Sequence, residues 1–320
     1  MTRWCGVLDD PKLLRLLTPE AAVVAKWRSF VDMHVWPIGP RGPRVDEWLR
    51  NFTAVERPWA AHLLDQFIFY GTKETEALLV GAVADLSRLV TRDASEYAEG
   101  ESLWQAFLDT ALFTYPTGED PSVTDSGFTF ARMVRQRLGM DEDAILDPAQ
   151  VLQAVSSGSR APVVFVDDFL GTGDQFMKTW HRPYEIADGT VTSFEDVLGQ
   201  RGDSEVFYVP LLATVQGRNR VAREARRVDV HATHVLGAEY SAVSPEGLVW
   251  PDGAREAGTR MLMAASERAG VWRPATDPDE CWQGYGGLGL SVAFEHGTPD
   301  ASLPLFYEDS PRWKRLVQRS

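Results

Sequence analysis

The stretch VVFVDDFLGTG, Val163 to Gly173, decides how this chain folds. Four apolar residues, Val163 to Val166, read as a strand buried on both faces, the pattern of a parallel sheet covered by helices. A charge without a partner is costly to bury, so Asp167 and Asp168 should emerge at the carboxyl end of that strand. There their carboxylates can reach water, a cation or sugar hydroxyls. Phe169 and Leu170 then lead into Gly171, Thr172 and Gly173, whose small side chains suit a tight turn into a helix. Such a turn leaves amide N–H groups bare at the positive end of the helix dipole, which makes a cradle for an anion, most naturally a phosphate. The two halves describe one ligand: a ribose with its 2′ and 3′ hydroxyls at the aspartates and its 5′-phosphate in the glycine turn. The plainer reading of the same residues is a strand that ends in an Asp-capped turn and binds nothing.

Outward from this stretch, strands alternate with helical patterns. ALFTYP reads as a strand, followed by the polar loop Thr117 to Gly127 and a helix over FTFARMVRQRLG. DQFMKTWH makes the helix after the glycine turn, and VFYVPLLATV is a strand running into the arginine-rich GRNRVAREARR. VDVHATHVLG supplies another strand, DGAREAGTRMLMAASERAG another helix, and LGLSVAFEH a last strand. The expected fold is therefore α/β, with a mostly parallel sheet flanked by helices. Residues 1–100 differ. Segments such as PEAAVVAKWRSFVDMHV, RPWAAHLLDQFIFYG and KETEALLVGAVADLSRLV carry apolar residues at helical spacing, with proline early and glycine at the stops. We expect a helical N-terminal region over 1–100 and an α/β domain over 101–320, with the soft boundary in the polar segment Asp93 to Glu101.

Composition narrows the function classes. Apolar residues make up 44% of the chain and charged residues 24%, as in a globular protein. No apolar run approaches the ~20 residues that cross a bilayer. The opening MTRWCGVLDDPKLL lacks the apolar stretch of a secretion signal, so the expected location is cytoplasmic, with no membrane association. The two cysteines, Cys5 and Cys281, lack metal-site spacing and are expected to be reduced thiols. A formal charge of −14 repels a polyanion and argues against direct nucleic-acid binding. The one basic gathering places Arg220, Arg223 and Arg227 on one helix face with Glu224 beside them; it reads either as a solvated face or as a phosphate contact.

Other constellations carry less. GYGGLG, Gly284 to Gly289, matches a dinucleotide fingerprint in letters, but an apolar strand follows where that motif needs a helix. His231 and His234 stand three apart on one strand and so face opposite ways, which is poor geometry for a metal. His296, Thr298 and Asp300 follow the last strand and should emerge at its end. Trp48, Phe52, Trp59, Leu63, Phe67 and Tyr70 recur at helical intervals, chiefly as core, with any exposed remainder marking a partner surface.

VVFVDDFLGTG resembles the phosphoribosyl-pyrophosphate signature of the type I phosphoribosyltransferases: four apolar residues, two acids, two or three linking residues, then Thr-Gly. WLRNF with ERPWAAHLLDQF, DSGFTFARMVRQRLG, FVDDFLGTGDQF and GYGGLGLSVAFEHGTPDASLPLFY extend the resemblance, in order, to the phosphoribosyltransferase-like family of bacterial conflict and antiphage systems, the PRTase-CE type. It covers most of the chain and implies a type I phosphoribosyltransferase-like core, a phosphoribosyl pyrophosphate or nucleotide ligand, Mg2+, and a protein partner among other defence components. It puts Asp167 and Asp168 on the ribose hydroxyls and, directly or through water, on Mg2+. Gly171, Thr172 and Gly173 fall on the 5′-phosphate, Phe169, Leu170, Asp174 and Gln175 count with them as ligand- or phosphate-binding residues, and His296 becomes a ligand or acid-base contact. Asp174 and Gln175 depart from the signature, which continues with a small residue and then a hydroxyl residue. The loop Thr117 to Gly127 occupies the place of a pyrophosphate loop, with Ser126 and Gly127 opening a helix that can hold a second phosphate. It contains no Arg or Lys, so a leaving pyrophosphate would need Mg2+ or distant basic residues. Three readings stay open: an enzyme that transfers or cleaves at the anomeric carbon, a non-catalytic nucleotide-sensing subunit, and a structural defence partner that docks through its helical region.

Overall fold

The computed structural model describes residues 5–37, 39, 41–118, 126–139, 145–187, 189–199, 204–272 and 282–319. Cys281 and residues 119–125 of the candidate pyrophosphate loop lie outside them. Five helices open the chain: α1 (Cys5–Leu8), α2 (Pro11–Leu14), α3 (Glu20–Asp32), α4 (Val45–Leu49) and α5 (Arg57–Asp65), before a short strand β1 (Ile68–Tyr70). Next come α6 (Thr72–Val90), α7 (Tyr97–Thr110), β2 (Leu112–Thr114), α8 (Ser126–Leu138), α9 (Pro148–Ser156), β3 (Val163–Leu170) and α10 (Asp174–His181). The hairpin strands β4 (Tyr184–Glu185) and β5 (Val191–Thr192) precede β6 (Val206–Thr214), α11 (Val215–Glu224), β7 (Val228–Val230) and β8 (His234–Leu236), and α12 (Arg255–Ala269) and β9 (Val292–Phe294) end the series.

The architecture is α/β with a mostly parallel central sheet flanked by helices. Its strands run β2–β3–β6, and both β7 and β8 pair with β6, every pair parallel. All nine residues of β6 are buried, as a central strand covered on both faces requires. VDVHATHVLG forms two short strands rather than one. β7 pairs with Val206 to Tyr208 and β8 with Leu212 to Thr214, and the interruption is centred on Pro210, which has no N–H to give a ladder. Under this sheet Phe165, Phe176, Trp180, Phe194 and Tyr208 interlock, with Phe176 and Tyr208 stacked at 4.3 Å. α9 is an element that periodicity did not single out. Its Asp147–Gln150 capping box and Pro148 at the first turn were the available signals.

By its contacts the chain divides into two units, Met1–Thr75 with Gly237–Ser320, and Glu76–Leu236. The division differs from a boundary near residue 100, because the last strand leaves the central sheet. β9 pairs in parallel with β1, Ile68 opposite Val292, in a two-stranded sheet of the first unit. The helical reading of RPWAAHLLDQFIFYG is thus corrected at its end: α5 stops at Asp65, and Ile-Phe-Tyr, with a β-branched residue and two aromatics, takes the extended form that β9 pairs with. The aromatic stripe of this unit is core up to Phe67, and Tyr70 is half-buried. Trp48 and Trp59 are fully buried and donate their indole N–H groups to Leu305 O (2.7 Å) and Leu8 O (2.9 Å). Among the described residues no helix is long and apolar enough to cross a membrane.

Candidate functional site

The acid pair lies inside β3 rather than past its end, because pairing with β6 continues to Leu170 opposite Ala213. The two carboxyl groups differ in burial, and Asp168 is the one residue of this stretch that the register with β6 passes over. Asp167 is 2% exposed. Its Oδ2 accepts a hydrogen bond from the Tyr208 hydroxyl (2.7 Å) and its Oδ1 one from the Asp168 amide (3.0 Å). Burial, and after it the neighbouring Asp168 charge, raise its pKa well above the usual carboxylate range. Burial and the Asp167 charge raise the Tyr208 phenol in the same direction. Asp168 is partly exposed and is the member of the pair that a solvent-borne ligand can reach. Sequence reasoning missed Tyr208. The signal was a phenol inside an otherwise apolar strand, since a buried tyrosine hydroxyl needs a partner.

Past Leu170 the chain makes the anticipated turn. Gly173 caps α10 in the left-handed region at φ 86°, a conformation that favours glycine. Among the described residues the amides of Thr172 and Gly173 donate to no partner outside their own elements. The turn is braced from the next strand–helix junction: the Thr214 hydroxyl donates to Gly171 O (2.6 Å) and accepts from the Gly217 amide (2.9 Å). A Cβ on Gly217 would collide with the Gly171 carbonyl, so the two backbones approach as closely as they do only because Gly217 has no side chain. Asp174 opens α10 and turns its carboxylate toward the turn. It accepts from the Thr172 hydroxyl (2.6 Å) and pairs with Arg220 of α11. Gln175 is exposed, Phe169 half-buried and Leu170 buried. Of the arginine face, Arg220 therefore belongs to this site, while Arg223 is exposed and pairs with Glu224 at 2.6 Å.

Ser126 and Gly127 open α8 as anticipated. The loop before them starts in described chain: the Thr117 amide donates to Thr179 Oγ1 (3.0 Å), and Arg182, at the carboxyl end of α10, donates to Thr117 Oγ1 (2.7 Å) and to Gly118 O. A distant guanidinium thus reaches the start of a loop that has no basic residue of its own. His296 does not follow a strand of the central sheet. It comes after β9 in the other unit, where its ring stacks on Phe294 at 5.0 Å. Thr298 donates its hydroxyl to Gln318 O (2.7 Å), and Asp300 pairs with Arg319 at 2.9 Å. In Gly284 to Gly289 a short 3-10 turn, Tyr285–Gly287, leads toward β9, so the dinucleotide geometry is absent there. His231 lies in the gap between β7 and β8, with Nδ1 3.5 Å from Asp85. Among the described residues no group of three or more His, Cys, Asp or Glu side chains forms a metal cage.

The model of one protein family, PRTase-CE, matches residues 45–319 of the chain. No curated protein matches it.

Proposed function

The chain belongs to the PRTase-CE family, and from that membership we propose that it binds a 5-phosphoribosyl compound, phosphoribosyl pyrophosphate or a nucleotide, with Mg2+ and acts at the anomeric carbon. The observation that carries the reading is the sequence of parts along one central strand: a partly exposed Asp168, then a braced glycine turn whose Thr172 and Gly173 amides have no backbone partner among the described residues, then a helix N-terminus. Asp168 would take the ribose hydroxyls. Asp167, held by Tyr208, would fix the backbone and the charge state beside it, a positioning role rather than a contact. The turn would hold the 5′-phosphate through the amides of Thr172 and Gly173. Ser126 and Gly127 would lie on the leaving-group side.

The donor set fits Mg2+ in one way. With no protein cage among the described residues and one accessible carboxylate of the pair, the ion would rest on Asp168 together with the ligand's own oxygens, the sharing that Mg2+ prefers. When bound, it would neutralise charge building on a leaving pyrophosphate. The residues themselves supply orientation, which is the larger part of catalysis in a reaction of this kind.

One observation favours a second reading, a nucleotide-sensing or regulatory subunit without turnover: the carboxylate of Asp174 stands at the phosphate turn. A role in an antiphage or conflict system, with a protein partner, follows from the family resemblance and is proposed on that footing. Incubation with phosphoribosyl pyrophosphate, Mg2+ and a mixture of nucleobases separates the readings. Release of pyrophosphate that disappears in Asp168→Asn supports the enzyme. Saturable binding without pyrophosphate or free base supports the sensor, and no binding refutes both.

A further inference from the structure

We propose that Arg220 is the cation that recognises the ligand's phosphate and that Asp174 is its built-in competitor, an anion of the chain itself that holds the cradle until a phosphate displaces it. The proposal rests on the ribose-phosphate reading above and adds to it which residues set the affinity and what the site selects.

Three groups converge. A Cβ built on Gly173 would stand 3.5 Å from Arg220 Cδ, so the arginine stem lies against the glycine turn itself. The donors at the turn, the Thr172 hydroxyl at 2.6 Å and the Arg220 guanidinium, both end on the Asp174 carboxylate. They are donors of the kind a phosphate would take, hydroxyl and guanidinium. Without ligand the cradle therefore already contains an anion. Neither partner is sealed in: the Arg220 and Asp174 side chains are 31% and 30% exposed. The carboxylate can rotate outward without opening the core.

Arg220 would stay in place when Asp174 leaves. Its Nε also donates to Glu224 Oε2 at 3.1 Å, four residues on along α11, and the start of that helix is locked to the turn through Thr214 and Gly217. Glu224 is thus the tether and Asp174 the competitor. A guanidinium binds a phosphate in two parallel hydrogen bonds and prefers its greater charge to a carboxylate's. The exchange selects nucleotides and sugar phosphates over nucleosides and free sugars, which bring no anion able to displace Asp174.

Calorimetric titration with ribose 5-phosphate and, separately, with ribose tests this on the full chain. Asp174→Asn is expected to tighten ribose 5-phosphate about tenfold, and Arg220→Gln to weaken it about tenfold to a hundredfold, the scale of one charge-assisted contact. Arg220→Lys should fall between, and binding of ribose should be unchanged in all three variants. Circular dichroism and thermal melting establish that each variant is folded. Binding by Asp174→Asn where the natural protein shows little also supports the exchange. A wild-type protein that binds ribose 5-phosphate with an affinity unmoved by Arg220→Gln, or weakened by Asp174→Asn, overturns this inference and leaves the ribose-phosphate reading standing. Failure of the wild type and of Asp174→Asn alike to bind overturns both.

Discussion

Asp167 and Asp168 are neighbours in the chain with opposite surroundings, and substitution should tell them apart. Asp167 is sealed beside Tyr208 and its folded pKa is raised, so the folded state holds its proton to higher pH than the unfolded chain does. Its contribution to stability is full below the usual carboxylate range and is lost as pH rises through the folded pKa. Asp167→Asn keeps an acceptor for the Tyr208 hydroxyl and removes the titration. Urea melts should therefore show the variant more stable than wild type at pH 8, by roughly 1–3 kcal/mol, with the difference shrinking toward pH 4. Asp168→Asn removes the neighbouring charge that helps raise the Asp167 pKa, so it should lessen the loss of stability at high pH and weaken ligand binding. His62 of α5 has the reverse sign. Its Nδ1 accepts from the Thr18 amide (3.0 Å) while Nε2 lies 3.0 Å from Val249 O, an arrangement for neutral imidazole, and burial lowers its pKa against opposing contributions from Val249 and Asp65. The unfolded chain binds that proton more readily, so stability should fall as pH drops from about 6.5 through the folded pKa. His62→Gln should flatten that limb of a pH–stability profile.

At the scale of elements, the site is two strand–helix junctions leaning on each other. β3 delivers the acids and the glycine turn, and β6 delivers Tyr208, Thr214, Gly217 and, through α11, Arg220. Gly217→Ala should push the junctions apart. A loss of roughly 1–3 kcal/mol is expected from forcing a methyl group against the Gly171 carbonyl, with weaker ribose 5-phosphate binding measured alongside. What could be read from the sequence follows the range of the forces involved. Val163 to Gly173 was readable because local chemistry decides it: an unbroken apolar run, then acids, then glycines that suit a turn. Arg220 was visible as part of a helix face with Glu224 beside it, but its second partner was not, since Asp174 is brought to it by the packing of α10 on α11. β1 was hidden because Ile68 to Tyr70 continues the apolar pattern of α5, and only pairing with β9 makes it a strand. Arg182 at the loop start and the inward turn of Asp167 depend likewise on tertiary placement, which spacing along the chain does not encode.

At the scale of the molecule, both ends of the chain build one unit and the middle builds the other, which sets what a fragment can do. Residues 76–236 contain every strand of the central sheet and the whole candidate phosphate turn. Residues 101–320 lack α6, and their β9 has lost its partner β1. Expressed separately, the 76–236 fragment should show cooperative thermal unfolding, while 101–320 should expose apolar surface and bind a hydrophobic dye. The net charge of −14 also bears on ligand capture, because a phosphate approaches against the long-range field and is held only by local donors and a cation. The most direct measurement of the whole account is the affinity of the natural protein for phosphoribosyl pyrophosphate with Mg2+, set beside that of Asp168→Asn. The account predicts saturable one-to-one binding that the substitution weakens at least tenfold. Binding of equal strength in the two proteins, or none in the natural one, would contradict it.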